Sequence, residues 1–260
     1  RQVVSEPSAE LLSRIEDAGL NASAPPQQRW VDGWIVRFSP GKAQRARCIN
    51  AVADGRGSLS DKLASCRLLY RAAGLRPLFR ITPFSQPPSL DDWLAQRGYQ
   101  RFGDTHVMVC SQLPRQVGVA TPAGLSVEAI ASEAYAHIVG EVRETALVGR
   151  QAHAERLEHS PVPYRGLVLR RGDGQVVAGG QSAIEGDLVG LYDVFTAPSS
   201  RGQGLSGWLC AQLLAQAREQ GARIGYLQVD VGNQPARAVY HRLGFVDGYN
   251  YHYRALPSAG

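Results

Sequence analysis

Sulfur-bearing residues are scarce in this chain of 260 residues, which has four cysteines and one methionine. The cysteines form no CxxC pair, their spacing matches no zinc pattern, and the histidines form no HExxH arrangement. These absences exclude the usual sequence signatures of a zinc site or a dithiol redox site, so we predict no metal. We expect Cys48, Cys66, Cys110 and Cys210 to be free, buried or partly buried thiols in a reducing compartment.

Long apolar runs and long runs of one charge are also missing. No stretch of about 18 apolar residues occurs, so we expect no membrane span, and residues 1–12 lack the apolar core of a signal peptide. The net charge is +5 and the pI is about 9.2, but the basic residues are scattered. This distribution disfavours a dedicated nucleic-acid binder and suits a small anionic ligand. We expect a cytoplasmic protein.

The second half of the chain has a pattern of alternating strands and helices. Short apolar segments are separated by turns such as Gly172-Asp173-Gly174, whereas residues 205–220 carry apolar side chains at helical spacing. Gly221 stands where the C-terminal cap of that helix is expected. We predict strands at 125–130, 165–171, 175–184 and 188–196, a strand at 224–231, one or two strands within 245–256, and helices at 132–149, 151–159, 205–220 and 235–243.

The first half repeats the end of this pattern more weakly. We predict a helix at 59–73, a strand at 75–82, a short helix at 90–97 and an extended segment at 98–113, in the order of the last four elements. We interpret this as an internal duplication, although helix–strand alternation is also common in unrelated folds. Residues 114–124, which contain Pro and Gly, are the predicted linker between one domain at 1–113 and another at 125–260.

A glycine-rich turn at residues 196–207 is the most distinctive segment of the sequence. It leaves an apolar strand and enters an amphipathic helix. The first N–H groups of a helix lack intrahelical partners, and the helix dipole adds a partial positive charge there. Glycines let the backbone approach a pyrophosphate closely, and Arg201 adds a cation beside it. The turn therefore predicts an anion-binding site.

The same turn admits two other interpretations. Gly202, Gly204 and Gly207 spell GxGxxG, with Asp230 in the approximate place of the ribose-binding acid of a dinucleotide fold. However, only about thirty residues follow Asp230, too few for the further units of that fold. The tight turns between the preceding strands also predict antiparallel pairing. The other alternative is a purely structural turn with no ligand.

A second motif follows the turn and shows a family resemblance. The motif is Asn233-x-x-Ala236-x-x-x-Tyr240-x-x-x-Gly244-Phe245, and it follows Arg201-x-x-Gly204-x-Ser206. Together the two motifs resemble the GCN5-related N-acetyltransferase (GNAT) family over residues 125–256. The family usually has Gly or Ala at the position of Ser206, which is a small departure. The first half resembles a degenerate copy that lacks the phosphate loop and has Leu94 in place of Tyr240.

The resemblance implies a fold of the α/β (α+β) class. We expect a tandem protein with two GNAT-like lobes, each a mixed, mainly antiparallel twisted sheet flanked by helices. The first lobe is the degenerate copy, and the second is the catalytic domain.

The resemblance also implies acetyl-CoA as the cofactor. The strand at 188–196 is expected to splay from the strand at 224–231, with the pantetheine arm in the gap. The implied cofactor-binding residues are Val194, Phe195, Thr196, Arg201, Gly202, Gln203, Gly204, Leu205, Ser206, Gly207, Asn233 and Ala236. Asn233 has an alternative role as the N-cap of the following helix, because Asn is a favoured N-cap.

Transfer of an acetyl group to an amine requires a proton donor and a proton acceptor. Tyr240 is the implied general acid for the leaving thiolate, and its alternative role is that of a core aromatic. Many family members have a Glu base on the strand at 224–231, but the matching residue here is Gln228, which cannot serve. We predict Asp193 as the base, since it interrupts an apolar strand, with a structural ion pair as the alternative. Further candidates are Glu185, Glu141 and Glu144.

We therefore predict an acetyl-CoA-dependent N-acetyltransferase that acts on the amine of a small molecule. Two alternatives are acetylation of a protein or peptide amine and a non-catalytic acyl-CoA binding module. Residues 131–160 and 249–254 should border the acceptor, where Glu141, Glu144 and Glu155 could attract a cationic amine. We expect a monomer or homodimer with no nucleic-acid partner and no membrane association.

Overall fold

The computed structural model of the chain describes residues 5–115 and 119–258, so the centre of the predicted linker, 116–118, lies outside the described residues. The elements of the first half are α1 Ala9–Ala22, β1 Gln27–Val31, β2 Trp34–Phe38, β3 Ile49–Ala51, α2 Leu59–Ala72, β4 Phe79–Ile81, α3 Leu90–Gln96 and β5 Gln100–Cys110. Those of the second half are β6 Leu125–Ile130, α4 Ser132–Val142, α5 Leu147–Glu158, β7 Tyr164–Arg171, β8 Val176–Glu185, β9 Leu188–Thr196, α6 Leu205–Glu219, β10 Ile224–Asp230, α7 Gln234–Arg242 and β11 Val246–Ala255.

Most predicted elements are present, and the differences have local causes. The helix predicted to run to residue 149 ends at Val142, because Glu144 adopts a left-handed φ of 56° and the Thr145 N–H bonds back to Gly140. The strand predicted at 75–82 is only Phe79–Ile81, since Pro77 has no N–H for a ladder. Helix α1 and strands β1 to β3 were not predicted from the sequence.

The eleven strands form one continuous sheet, whereas two separate sheets were expected. The strand order is β1-β2-β3-β4-β11-β5-β10-β9-β8-β7-β6. The last strand, β11, lies between β4 and β5, and β5 in turn lies between β11 and β10. Each half of the chain therefore contributes a strand that is hydrogen-bonded to the other half.

The strand orientations follow the same sequence on the two sides of the β11–β5 pair. In the first half, β1, β2 and β3 are antiparallel neighbours, β3 and β4 are parallel, and β4 pairs antiparallel with β11. In the second half, β7, β8 and β9 are antiparallel neighbours, β9 and β10 are parallel, and β10 pairs antiparallel with β5. The four strands on the first-half side of the β11–β5 pair therefore have the same order of orientations as β7 to β10 on the other side.

Helices cover both faces of this sheet. On one face, α6 inserts Leu209, Leu213 and Leu214 into a core made with β8, β9 and β10. On the other face, α1 packs against tyrosines of β9, β10 and β11. All four cysteines are buried and free, as predicted. Among the described residues, no helix is both long enough and apolar enough to span a bilayer.

A buried ion pair joins α1 to the centre of the sheet. Glu16 on α1 is bonded to Arg80 on β4, and the Tyr249 hydroxyl on β11 donates to the same carboxylate. Burial alone would raise the pKa of Glu16, but the adjacent Arg80 guanidinium holds it below its ordinary value. Arg80 also donates to Asn50 at 3.3 Å. The network therefore fastens elements from both halves of the chain.

Candidate active site

A V-shaped gap opens between β9 and β10. The two strands are paired in parallel only from Leu188 and Ile224 to Leu191 and Leu227. Beyond that point β9 continues to Thr196 and β10 to Asp230 without pairing to each other. A cleft of about 1090 Å³ lies in this gap and extends to the glycine-rich turn. The splay expected from the sequence is therefore present.

The backbone of β9 has hydrogen-bonding groups that face this cleft. The N–H of Ala197 bonds to Val177 on β8 at 2.8 Å. Because the N–H groups of a strand alternate in direction, those of Thr196 and Val194 point away from β8 and toward the gap. Val194, Phe195 and Thr196 all line the cleft. This unpaired edge can accept an extended, amide-bearing chain as an added strand.

A β-bulge interrupts β9 at Asp193. Its register with β8 shifts between Gly179 and Gln181, and Asp193 adopts a left-handed φ of 51°. The Tyr135 hydroxyl donates to the Asp193 carbonyl at 2.7 Å and fixes this conformation. Gly179 leaves the necessary space, since a Cβ there would stand 2.5 Å from the Phe195 ring. The bulge directs the Asp193 carboxylate into the cavity region.

The glycine-rich turn has the geometry of an anion site. Gly202 and Gly204 have φ values of 79° and 72°, and Gly204 is the N-cap of α6. No side chain caps this end of α6, so the N–H groups of its first turn are unpaired within the helix. A Cβ at either glycine would meet nothing within 4 Å. The backbone conformation therefore requires glycine, and the open space beside it suits a phosphate.

The other residues implied to bind the cofactor also lie along this cleft. The set comprises Arg201, Gln203, Leu205, Ser206, Asn233 and Ala236, all of which line it. Gly207 does not line it directly but lies on the first turn of α6. Asn233 also acts as the N-cap of α7, because its Oδ1 accepts from the Ala236 N–H at 3.3 Å. The chemistry of the cleft, with free N–H groups at one end and an unpaired strand edge along it, fits acetyl-CoA.

Tyr240 lies on α7 with its ring largely buried against Phe245. It lines the cleft, and among the described residues no hydrogen bond engages its hydroxyl. Burial raises the pKa of Tyr240 above its ordinary value, because the phenolate would lose hydration. The phenol therefore keeps its proton at neutral pH and is free to donate it into the cleft.

Asp193 is engaged by two side chains. Its Oδ1 accepts from Arg143 at 3.0 Å, and its Oδ2 lies 3.0 Å from the His153 Nε2. Burial would raise the pKa of Asp193, but His153 and Arg143 together hold it well below its ordinary range. Such a carboxylate stays ionised and is a weak base. It is well suited to orient the His153 ring.

Gln228 occupies the position where a Glu base is common in the family that the sequence resembles. Its Oε1 accepts from Arg45 at 3.2 Å and from the Tyr251 hydroxyl. Arg45 belongs to the first half of the chain, in the short 3₁₀ turn Gln44–Ala46, and lies 5.8 Å from the Tyr192 ring centroid. Gln228 therefore links the two halves beside the cleft.

A second cavity of about 470 Å³ adjoins the cleft. Both cavities share five lining residues: Arg45, Arg143, Asp193, Gln228 and Asp230. One wall of the second cavity is lined by residues of the first half, such as Ser39 and Lys42. The opposite wall is lined by residues of α5 and by tyrosines of β7, β9 and β11. It lies where an acceptor could reach the bulged end of β9.

Some of the residues predicted to act on the acceptor line the two cavities, and others do not. Of the candidate bases, only Asp193 lines a cavity, while Glu185 bonds to Asn21 at 2.8 Å and Glu141 lies 3.9 Å from Arg150. Glu144 and Glu155, expected to attract a cation, line neither cavity. Arg45 was not predicted from the sequence, and Arg143, His153 and Arg156 were given no role, although they lie within the stretch 131–160 that was expected to border the acceptor. The one available signal was the i, i+3 spacing of His153 and Arg156 on a predicted helix.

Comparison with known proteins agrees with this geometry. Residues 130–245 match the model of the acetyltransferase (GNAT) family. The uncharacterized N-acetyltransferase YobR of Bacillus subtilis (strain 168) is 24% identical over 229 residues, which are 87% of this chain and 91% of that protein.

Two solved structures resemble most of this arrangement. A GCN5-related N-acetyltransferase from Kribbella flavida has a TM-score of 0.71 at 19% identity, over 95% of this chain and 96% of that chain. A tandem GNAT protein from the clavulanic acid biosynthesis pathway has a TM-score of 0.58 at 19% identity, over 77% of this chain and 70% of that chain. Identities this low indicate a shared fold. The family model therefore matches the part of the chain that holds the cleft, and the solved structures share the fold.

Proposed function

We propose that this protein is an N-acetyltransferase that uses acetyl-CoA to acetylate the amine of a small molecule. The observation that carries the proposal is the V-shaped gap between β9 and β10, which ends at unpaired N–H groups on the left-handed glycine turn. Bound acetyl-CoA would supply a thioester as the acetyl donor. The N–H groups of residues 202–207 and Arg201 hold a pyrophosphate, and Val194 and Thr196 pair with amides of the arm.

Tyr240 is the proposed proton donor. Acetyl transfer forms a C–N bond and breaks a C–S bond, so the leaving sulfur gains a proton and the amine loses one. Tyr240 lines the cleft, and within the part of the chain that the structure describes no hydrogen bond engages its hydroxyl. It can donate to the leaving sulfur.

His153 is the proposed proton acceptor, and Asp193 positions it. If the Nε2–H of His153 donates to Asp193 Oδ2, Nδ1 is left with a lone pair. Among the described residues Nδ1 has no hydrogen-bond partner, and His153 lines the second cavity. The prediction that Asp193 is the base is thereby refined: its carboxylate acts through His153, since both its oxygens are occupied.

The second cavity favours a small acceptor over a protein chain. Its volume of about 470 Å³ is within the range of small-molecule sites. Residues from both halves of the chain line it, so an acceptor would be contacted from two sides.

We also propose that the two halves arose by duplication, with 1–113 as the degenerate copy and 125–260 as the catalytic one. The matching order of strand orientations on the two sides of the sheet supports this proposal. So does the likeness to a tandem GNAT protein. Leu94 occupies the place in α3 that Tyr240 has in α7, and it is fully buried.

Thermal melting with acetyl-CoA tests the cofactor site. Ligand at about 100 times its dissociation constant stabilises a protein by about 2.7 kcal/mol, which shifts the melting temperature by about 5–10 °C at this size. Gly204→Ala should lose most of this shift. The matched control is Gly221→Ala, which introduces the same kind of backbone strain, at a φ of 104°, at the other end of α6.

Release of CoA thiol in the presence of an amine panel tests the reaction. Turnover that requires both acetyl-CoA and an amine supports the proposal. A full shift with acetyl-CoA but no turnover with any amine would favour a non-catalytic acyl-CoA binding module. Absence of a shift in the wild type would refute the cofactor assignment.

A further inference from the structure

The second cavity has an excess of positive charge. Its lining includes the cations Lys42, Arg45, Arg143 and Arg156, and two carboxylates, Asp193 and Asp230. Arg143 is paired with Asp193. Asp230 is exposed, and its Oδ1 accepts from the Gly232 N–H at 2.7 Å. Among the described residues, neither carboxylate forms an ion pair with Arg45 or Arg156, although Asp193 is close enough to influence Arg156.

Of the two arginines Arg45 and Arg156, Arg156 is the one with no polar contact. It lies on α5 and is partly buried, yet among the described residues it has no hydrogen bond or ion pair. Burial lowers the pKa of Arg156, and the nearby Arg45 guanidinium lowers it further, against the opposing effect of Asp193. The guanidinium nitrogens of Arg156 are not among the fully buried unpaired atoms, and Arg156 lines the cavity. They are therefore available to an anion bound in the cavity.

Arg45 has a hydrogen-bond partner, but that partner carries no charge. Its hydrogen-bond partner is the neutral amide of Gln228, at 3.2 Å. A Glu at this position would form an ion pair with Arg45 and cancel its charge. With Gln, the Arg45 guanidinium stays available to a ligand at the junction of the two cavities.

We propose that the second cavity binds an amine that also carries a carboxylate or a phosphate, with Arg156 and Arg45 holding the anionic group. This inference rests on the proposed acetyltransfer and defines its acceptor class. The planar guanidinium fork matches both carboxylate and phosphate oxygens.

The spacing on α5 limits the length of this acceptor. His153, the proposed proton acceptor for the amine, and Arg156 are three residues apart on the helix and both line the cavity. Cβ atoms at this spacing lie about 5–6 Å apart. The amine and the anionic group are therefore separated by only a few bonds, as in a short amino acid or a phosphoamine.

Matched acceptor pairs test this inference. We would measure kcat/KM for α- and ω-amino acids of two to six carbons, each against its own primary amide, and for phosphoethanolamine against ethanolamine. We expect the anionic member of at least one pair to be preferred about tenfold or more, as for a charge-assisted hydrogen bond. Preference confined to the amino acids identifies a carboxylate site, and preference confined to phosphoethanolamine identifies a phosphate site.

Variants connect the preference to the two arginines. Arg156→Gln should reduce it about tenfold or abolish it, and Gln228→Glu should also reduce it by pairing with Arg45. Arg67→Gln is the control, because Arg67 is an exposed arginine on α2 that lines neither cavity. It makes the same change in net charge and should leave the preference unchanged.

Calorimetric titration of the same pairs into the CoA-saturated protein gives a readout that needs no turnover. Anionic members that bind no more tightly than neutral ones would overturn the inference. Neutral amines acetylated as well as anionic ones would overturn it while leaving the proposed acetyltransfer intact. If acetyl-CoA neither stabilises the protein nor is consumed, the proposed acetyltransferase function is itself refuted, and the inference about its acceptor falls with it.

Discussion

Replacement of Tyr240 by Phe separates a catalytic hydroxyl from a merely structural aromatic ring. The ring packs against Phe245 and is largely buried, so Phe fills the same space. No hydrogen bond engages the hydroxyl among the described residues, and its removal therefore leaves no orphaned group in the protein. We expect the free energy of unfolding to change by less than about 1 kcal/mol.

The effect on catalysis should be much larger. General acid catalysis contributes about 10²- to 10⁴-fold, which corresponds to about 3–5 kcal/mol of transition-state stabilisation. We expect Tyr240→Phe to lower kcat by this factor, with the acetyl-CoA-induced melting shift unchanged. Because burial raises the pKa of Tyr240, its deprotonation should not limit kcat at mildly alkaline pH.

The assay is steady-state release of CoA thiol beside thermal melting of the same preparations. Tyr99→Phe is the matched control, since the Tyr99 hydroxyl is also buried without a partner but lies in the core of the first half. A Tyr240→Phe enzyme that retains kcat within threefold of wild type would refute the assignment of Tyr240 as the proton donor.

Three further predictions concern the base, the bulge and the buried ion pair. His153→Gln should lower kcat about 100-fold at neutral pH and recover in part at higher pH, where the amine loses its proton in solution; a pH–rate profile without recovery contradicts this. Asp193→Asn should be less stable than wild type above about pH 4, and the difference in stability should shrink on acidification, because the folded-state pKa of Asp193 lies below its unfolded value. Urea unfolding at several pH values measures this difference. A difference in unfolding free energy that grows in acid would contradict the prediction. Glu16→Gln should cost about 3–5 kcal/mol, since Arg80 would stay buried without its carboxylate, whereas Glu10→Gln at the exposed start of α1 should be nearly neutral by thermal melting.

Local signals explain why the cofactor side of the site could be predicted. The turn at 196–207 and the start of α6 depend on glycine φ values and on helix capping, which are set by residues close together in the chain. Strand β9 was predicted with the observed bounds, and α6 to within one residue of them. The role of Asn233 as a cap was one of two alternatives stated, and the structure shows the capping bond.

The acceptor side of the site depended on contacts between distant segments. Arg45 meets Gln228, which is 183 residues further along the chain, and no local pattern signals that contact. His153 meets Asp193 only because the bulge turns the carboxylate toward α5. The glutamates expected to attract an amine lie outside both cavities, Glu141 and Glu155 on helices and Glu144 in the turn after α4. An isolated sequence gives no measure of which face of a short helix will be covered.

The sequence by itself determined the order of strands and helices in the second half and the glycine turn with its helix. These features follow from backbone conformations and apolar periodicity within a few residues. Only the tertiary structure decided that β5 and β11 exchange places, so that two expected sheets become one, and that the acceptor cavity lies between the halves. Strand pairing over more than a hundred residues is selected by the burial of both sheet faces together, which no single segment encodes.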